Sequence, residues 1–342
     1  MVTLAFVSGS PAAKAQIKHS PDDFRVDEIL GFEPDGEGYH VFLQIQKRGL
    51  NTEDIVNTLS QLADVRNVDV GYSGLKDRHA VTSQWFSVNI TGKTEPDWYS
   101  LESENIHLLN ISRHKRKLKR GTHRANTFML LLRNITGSRD DIEQRLKRIQ
   151  SEGVPNYFGE QRFGRNYSNI EKAGKMLDGV IKVKSRLKRG LYLSAIRSML
   201  FNIILSRRVE NKSWNKAVPG ELLVLDGSHS YFQYQEEDGS INQRVEIGDV
   251  HPSGPLWGKR KGNRDKFDFD HAFFGLENAI LEQYKHWCDG LERAGLEYDR
   301  RSLRLPVTRL SWEFVEQDNL RLQFTLPTGC YATVVLREIV KY

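Results

Sequence analysis

Apolar residues recur with two different periods along the first 135 residues of the chain. Val41, Leu43 and Ile45 occupy every second position, a spacing that predicts a β-strand. Apolar residues between positions 55 and 62 instead fall on one helical stripe, and Asn51 or Thr52 can cap that helix. Further strands are predicted at residues 68–72, 84–90 and 127–135. This order of elements predicts a mixed α/β sheet with helices on one side.

The pattern changes after Gly153, which is placed to end a helix that begins at Ser138. A helical run is expected from Tyr192 to Val209, whereas residues 211–270, rich in Gly, Asp and Asn, are predicted to be irregular. Strand patterns return at residues 320–326 and 331–340. We therefore expect an inserted domain whose flanking segments belong to one sheet.

Composition and charge narrow the class of protein. Hydrophobic residues make up 39% of the chain, and no segment resembles a signal peptide or a membrane span, so a soluble, cytoplasmic protein is expected. Residues 111–210 carry 24 Lys/Arg against 8 Asp/Glu, which favours RNA as a partner, with solvated helix faces as the alternative. Cys288 and Cys330 lack metal-ligand spacing, so neither a disulfide framework nor a zinc site is predicted.

One segment could carry catalysis. From Gly71 to Gln84 it reads G-Y-S-G-L-K-D-R-H-A-V-T-S-Q and places the carboxylate of Asp77 among Lys76, Arg78 and His79. Such neighbours would lower the pKa of Asp77 and keep it ionised, as a nucleophile or base requires. A surface loop with an incidental charge cluster is the alternative. Phosphate-binding and dinucleotide-binding glycine motifs and zinc-protease motifs are absent, so nucleotide triphosphates, dinucleotides and zinc are not supported as ligands.

Two further segments suit RNA. Seven of the twelve residues from Arg113 to Arg124 are Lys or Arg, so phosphate contact is predicted, with a solvated loop as the alternative. The candidate phosphate ligands are Lys115, Arg116, Lys117, Lys119 and Arg120. Asn126 could bond a base edge and Phe128 could stack on a base, although an aromatic residue on a strand is more often part of the core. The string V-P-N-Y-F-G-E-Q-R-F-G-R from Val154 to Arg165 suits RNA contact or a domain junction.

These segments, in this order, resemble the TruD family of pseudouridine synthases. The matching strings are S-P-D-D-F at 20–24, D-G-E-G-Y-H-V at 35–41, G-L-K-D-R-H-A-V-T-S-Q at 74–84, H-K-R-K-L-K-R-G at 114–121, N-T-F at 126–128, V-P-N-Y-F-G-E-Q-R-F-G at 154–164 and L-P-T-G-C-Y-A-T-V-V-L-R-E at 326–338. They cover nearly the whole chain, so the resemblance bears on both the fold and the site.

The resemblance implies an α/β (α+β) fold with a mixed, largely antiparallel sheet. A pseudouridine-synthase catalytic domain is expected at residues 1–152 and 305–342, with an inserted TRUD domain at residues 153–304. The expected reaction is isomerisation of a tRNA uridine, at position 13, without metal or cofactor. The expected partner is tRNA, with no membrane and no obligate protein partner.

The resemblance also implies roles for particular residues. The catalytic aspartate is expected to be Asp77, and the residues that contact substrate are expected to be Phe24, Asn126, Phe128, Tyr331 and Lys18. Lys18 could pair with Asp77, and Tyr331 stands where the family often has Phe. Two alternatives remain: a non-catalytic RNA-binding protein of this fold, which could lose Asp77, and an RNA methyltransferase, which would need a glycine turn for adenosylmethionine that the sequence lacks.

Overall fold

The computed structural model describes residues 3–228, 230–260 and 267–342, which form two compact units. We call the first the sheet unit; it comprises Ala12–Asp140, Val307–Cys330 and Val340–Tyr342. The second, the helical unit, comprises Asp141–Pro306, Tyr331–Ile339 and the N-terminal residues as far as Pro11. None of the helices in the described ranges combines the length and apolar character needed to cross a lipid bilayer.

A mixed sheet dominates the sheet unit. Numbered along the chain, the elements of this unit are β1 (Lys14–Gln16), β2 (Phe24–Ile29), β3 (His40–Arg48), α1 (Thr52–Leu62), β4 (Val70–Tyr72), β5 (Val81–Asn89), β6 (Ile106–His114), β7 (Ala125–Thr136), β14 (Thr308–Val315) and β15 (Asn319–Pro327). The strand order is β14-β15-β7-β2-β5-β3-β6, with β1 beside β7 and β4 beside β5. Of these pairs only β2 and β5 run parallel, which confirms a mixed, largely antiparallel sheet. The pairing of β15 with β7 confirms that the C-terminal strand pattern joins the N-terminal sheet.

The period-two pattern of β3 buries one row of its side chains under α1. Val41, Leu43 and Ile45 are fully buried and share a core cluster with Ile55 and Leu59 of the helix. Each such side chain contributes about 1.5–3 kcal/mol when it leaves water. This core holds β3, α1 and β5 together, and the loop that carries Asp77 leads directly into β5.

Helices and a small sheet make up the helical unit. Its elements are α2 (Arg139–Glu152, from its third residue), β8 (Val154–Pro155), α3 (Ser168–Leu177), α4 (Arg186–Glu210), β9 (Leu222–Leu225), β10 (Tyr231–Gln233), α5 (Ile241–Glu246), β11 (Val250–Leu256), α6 (Phe274–Gln283), α7 (Lys285–Arg293), β12 (Asp299–Ser302), β13 (Arg304–Leu305) and α8 (Ala332–Leu336). Four strands form a sheet in the order β10-β9-β11-β12, and β8 pairs with β13. The helical run expected from Tyr192 to Val209 is confirmed within α4.

Two predictions about this unit are wrong. The sequence predicts irregular structure at residues 211–270, but their described part contains β9, β10, α5 and β11. Pro252, Gly254 and Pro255 lie inside β11, although these residue types usually interrupt strands. The sequence predicts a strand at residues 331–340, but α8 occupies 332–336. Its Val334 and Val335 are buried, and packing there overrides the β preference of branched side chains. Position 229 and positions 261–266 of the segment 211–270 lie outside the described residues.

The predicted insertion, residues 153–304, falls entirely within the helical unit. That unit also contains most of α2, all of α8 and the N-terminal residues as far as Pro11. The division into a catalytic and an inserted domain stays a prediction.

Candidate active site

Asp77 lies in the loop between β4 and β5, and its side chain is 33% exposed. Hydrogen bonds fix the backbone on its N-terminal side. The side-chain amide of Gln84 donates to the carbonyl of Gly74 at 2.5 Å, and the backbone N–H of Lys76 donates to the hydroxyl of Thr52 at 3.0 Å. The loop therefore presents an accessible carboxylate on an ordered backbone.

Two donors keep Asp77 ionised. Burial by itself raises the pKa of this carboxyl, but a hydrogen bond and the charge of Lys18, together with the backbone N–H of His79 at 3.0 Å, outweigh burial. The net result is a pKa below the usual value. The pairing of Lys18 with Asp77 that the resemblance implied is confirmed. Of the adjacent cations expected to act on Asp77, His79 lowers the pKa through its backbone N–H and its charge, whereas Lys76 and Arg78 are not among the main causes.

Lys18 reaches Asp77 from a strained backbone. Its φ of 53° lies in the left-handed region, which costs a residue with a side chain about 1–2 kcal/mol. The ammonium lies 4.3 Å from the ring centroid of Phe24 while it pairs with Asp77. Strain of this kind is commonly found at functional sites. Lys18 thus links the carboxylate to the first of the predicted substrate-binding aromatic rings.

Lys76 turns away from its neighbour in the sequence and enters a buried polar cluster. Its ammonium lies 2.9 Å from Glu28 Oε2 and donates to Asn126 Oδ1. Glu28 has a side chain with no exposed surface, and it also accepts a hydrogen bond from the hydroxyl of Ser73 at 2.8 Å. Because Lys76 can only donate, the amide oxygen of Asn126 must face it.

The amide nitrogen of Asn126 faces His123. It lies 3.2 Å from His123 Nε2, and the hydroxyl of Thr328 lies 2.8 Å from the same atom. Burial, reinforced by the charge of Lys76, lowers the pKa of His123, so the imidazole is neutral at pH 7 and Nε2 accepts. Asn126 is therefore held from both sides, and the orientation of its amide is fixed.

Sequence reasoning missed Lys47, whose side chain is fully buried in β3. The ammonium donates to the carbonyl of Leu50 at 2.6 Å and to that of Asp77 at 3.1 Å. Burial lowers the pKa of Lys47 to about 8, although the charges of Asp77 and Asp54 act in the opposite direction. A signal was present in the sequence, because the alternation of β3 calls for an apolar residue at position 47.

The predicted stacking residues are packed among other rings. Phe24 and Phe128 are 7% and 6% exposed, with their ring centroids 6.3 Å apart. Phe128 also stacks on Phe324, at 5.4 Å and an interplanar angle of 27°. Core packing is thus present at Phe128, and a role in stacking on a base stays a prediction. Asp77 nevertheless pairs with Lys18, Lys18 lies over Phe24, and Phe24 contacts Phe128.

Tyr331 belongs to the helical unit, where it precedes the first residue of α8. The residue is 40% exposed. Its predicted contact with substrate stays a prediction.

The basic segment after β6 is anchored rather than loose. Leu118 is buried, and its backbone N–H donates to the hydroxyl of Ser87 at 2.9 Å. A Cβ atom on Gly71 would lie 2.4 Å from the carbonyl oxygen of Leu118, so this close approach requires glycine. The segment is therefore held against β4 and β5.

Several charges of this segment have partners within the sheet unit. Lys115 pairs with Glu37 at 2.6 Å, Lys117 donates to a backbone carbonyl, and the guanidinium of Arg120 lies 3.9 Å from the ring centroid of Tyr72. These contacts do not prevent phosphate binding, but they reduce the charge that is free to bind it. The role of the five candidate cations in RNA binding stays a prediction.

The aromatic string after α2 packs in the interior of the helical unit. Tyr157, Phe158 and Phe163 are 2%, 8% and 2% exposed. The side-chain amide of Asn202 donates to the carbonyl of Phe158 at 2.9 Å, and its oxygen accepts from the N–H of Phe158 at 2.8 Å. Burial of these three rings does not favour RNA contact through their faces, and the alternative of a domain junction stays a prediction. Within the described ranges, no three His, Cys, Asp or Glu side chains are grouped so that they could hold a metal ion.

Comparison with known proteins finds similar sequences and a similar fold over nearly the whole chain. The family model described as "tRNA pseudouridine synthase D (TruD)" matches residues 3–178 and 170–339. The tRNA pseudouridine synthase D of Methylococcus capsulatus is 48% identical over 334 residues, which cover 98% of this chain and 93% of the relative. That of Nitrosococcus oceani is 46% identical over 340 residues, which cover 99% and 94%. A crystal structure described as the putative tRNA pseudouridine synthase D (TruD) from Methanosarcina mazei has the same fold, with a TM-score of 0.75 at 21% identity and coverage of 99% and 96%.

Proposed function

This chain belongs to the TruD family of tRNA pseudouridine synthases, and we propose that it isomerises the uridine at position 13 of tRNA with Asp77 as the essential carboxylate. We propose further that residues 1–152 and 305–342 form the catalytic domain, that residues 153–304 form the inserted TRUD domain, and that the reaction takes place in the cytoplasm. As a pseudouridine synthase, the protein is an isomerase that converts uridine to pseudouridine.

The reaction needs an ionised carboxylate and no redox partner. The bond between N1 and C1′ breaks, the uracil turns, a bond forms between C5 and C1′, and the proton on C5 is exchanged for one on N1. Asp77 would either attack C1′ or remove the 2′ proton, and both steps require the carboxylate form. The observation that supports this role most is that Lys18 and the His79 N–H keep Asp77 ionised while a third of its side chain stays exposed.

The other residues would bind the uridine after it leaves the RNA stack, a step that costs a few kcal/mol. Phe24 and Phe128 would provide an apolar surface for the uracil, and stacking of this kind contributes roughly 1–3 kcal/mol. Asn126 would contact the uracil edge or the 2′-hydroxyl. Its amide is held by Lys76 and His123, which supports a directed contact rather than an adaptable one.

The test of this proposal is the substitution Asp77→Asn, which preserves shape but removes charge and nucleophilicity. Release of tritium from tRNA labelled at C5 of uridine should fall at least about a hundred-fold, because the variant lacks a group that acts only in the chemical step. Binding of tRNA on filters should change no more than a few-fold. The matched control is Asp69→Asn, which removes a partly exposed aspartate paired with Arg66 and should leave both measurements unchanged. Near-normal tritium release by the Asp77 variant would refute the assignment.

A further inference from the structure

The helical unit carries a second basic segment, which we call the 182–189 surface. Its five cations are Lys182, Lys184, Arg186, Lys188 and Arg189, and all five side chains are exposed. None of them forms an ion pair with a carboxylate of the described residues. The sequence contains no Asp or Glu between Asp178 and Glu210. Within the described part of the chain, no carboxylate therefore neutralises the positive charge of this surface.

Packing does not explain why α4 begins within this basic segment. The first six residues of α4, from Arg186 to Leu191, are all exposed, and the first buried residue of the helix is Leu193. Leu187 is 84% exposed. Helices in proteins gain most of their stability from a buried apolar face, which these residues lack. The fold thus gains little from this part of α4.

Electrostatics within the segment is unfavourable. Arg186 and Arg189 are three residues apart on the helix, where like charges repel. Cations in the first turn also oppose the helix dipole. Several other exposed cations in the same unit have acidic partners, as Lys175 has in Glu171 at 2.6 Å and Arg207 has in Glu210 at 2.7 Å. The accumulation of charge at residues 182–189 therefore weakens the protein unless a polyanion binds it.

We propose that the 182–189 surface is a docking site for the phosphate backbone of tRNA. This inference rests on the proposed function for its substrate and adds where that substrate is held. Lys and Arg side chains that are exposed and not paired release counterions when phosphates bind, which is the main source of affinity that does not depend on sequence. The segment after β6 would contribute less per residue, since Lys115 already pairs with Glu37 and Arg120 packs on Tyr72.

RNA fits this surface better than a lipid membrane does. Interfacial helices need a broad apolar face with large side chains, opposite their cations. Here the exposed apolar residues of α4 are Leu187 and Leu191, and neither aromatic rings nor a continuous stripe accompany them among its exposed first six residues. Five cations within eight residues instead match a backbone of closely spaced phosphates.

The experiment replaces all five cations of the surface by Gln and measures binding of unmodified tRNA over a range of salt concentrations. The matched control also replaces five cations of the helical unit by Gln, four of them exposed and one partly exposed, but chooses those that pair with carboxylates. These control positions are Lys147, Lys175, Arg207, Arg244 and Lys285. Both variants change the net charge by the same amount, so a difference between them reports the location of the charge. A third variant, with Gln at Lys115, Arg116, Lys117 and Lys119, compares the two basic segments.

The 182–189 variant should bind at least about ten-fold more weakly near 0.15 M salt, and its log–log salt slope should fall by roughly 0.7–0.9 for each phosphate that the surface no longer neutralises. Its KM should rise while kcat at saturating tRNA stays the same, because these charges bind ground and transition states alike. Its urea midpoint should not fall, since the removed charges stabilise nothing in the fold. The control should show a small effect on all three measurements.

Several results would overturn the inference. One is a salt slope of tRNA binding that is unchanged in the 182–189 variant, and another is an equal loss of tRNA affinity in the variant and its control. A third is a variant that binds anionic vesicles more weakly but binds tRNA normally, which would assign the surface to a membrane. Binding is measured without turnover, so the outcome is separate from the Asp77 test. If the salt dependence of tRNA binding is smaller in the 182–189 variant than in wild type, the docking site is supported even if Asp77→Asn proves active.

Discussion

At the scale of single residues, the state of Asp77 depends on a partner 59 positions earlier in the chain. The sequence places Lys76 and Arg78 beside Asp77, yet Lys18 provides the charge that lowers its pKa. Proximity along the chain was therefore only a partial guide to the electrostatics, because His79 also lowers the pKa but Lys18 has the larger effect. The resemblance correctly implied Lys18, whereas composition and spacing would have chosen the adjacent cations.

Phe128 is the residue at which packing and substrate binding can be separated. Because it is 6% exposed and stacks on Phe324, we expect Phe128→Ala to lower the free energy of unfolding by about 3–5 kcal/mol. If Phe128 also stacks on the flipped uracil, single-turnover isomerisation should fall further than the folded fraction does. Urea unfolding and single-turnover rates, both measured where each variant is folded, give the two quantities.

A matched control for Phe128 is available on the neighbouring strand. Phe324→Ala removes the stacked partner and should cost similar stability, but it should leave the single-turnover rate of the folded protein close to that of the wild type. A Phe128→Ala protein that is destabilised yet isomerises at the normal rate would remove Phe128 from the substrate-binding set.

At the scale of elements, periodicity predicted those strands and helices that bury one face. The strand β3 and the helix α1 follow their apolar patterns closely, because one row of each packs into a shared core. By contrast, α8 is buried around several sides, so its Val-rich sequence carries no helical period. The polar cluster of Glu28, Lys76 and Asn126 joins three separate segments, and such pairing cannot be read from a single sequence.

The buried Lys47 of β3 should make stability depend on pH. Its pKa is about 8 in the folded protein and about 10.4 in an unfolded chain, so the charged form is disfavoured by folding. Above the unfolded pKa, Lys47 is neutral in both states and its burial costs no stability. As pH falls toward 8, the unfolded chain binds a proton that the folded protein does not, so the free energy of unfolding decreases. The shift corresponds to roughly 3 kcal/mol. We expect the free energy of unfolding of Lys47→Met, relative to that of wild type, to be higher at pH 7 than at pH 10.

Urea unfolding of wild type and Lys47→Met at both pH values measures this difference. The other titratable groups are common to both proteins, so their contributions to the pH dependence cancel. Lys93→Met is the control, since Lys93 is exposed and pairs with Asp64 on the surface. The difference in free energy of unfolding between Lys93→Met and wild type should change little between pH 7 and pH 10. If the difference in free energy of unfolding between Lys47→Met and wild type is equally independent of pH, the pKa of Lys47 is not lowered in the folded protein.

At the scale of the whole molecule, charge is distributed unevenly, as the sequence indicated. Residues 111–210 carry the excess of Lys and Arg, but the structure divides it between two segments of different character. The segment after β6 is anchored through Leu118, and several of its charges have internal partners. The 182–189 surface has neither feature. Counting charges located the basic region, whereas only the ion pairs revealed which charges are free to bind.

The most direct test of the account is to map pseudouridine at single-nucleotide resolution in unmodified tRNA incubated with the purified protein. The wild type should produce pseudouridine at position 13, without added metal or cofactor, and Asp77→Asn should produce none. The Asp69→Asn control should behave like the wild type. Pseudouridine at position 13 formed by the Asp77 variant, or modification by the wild type only at other positions, would contradict the account.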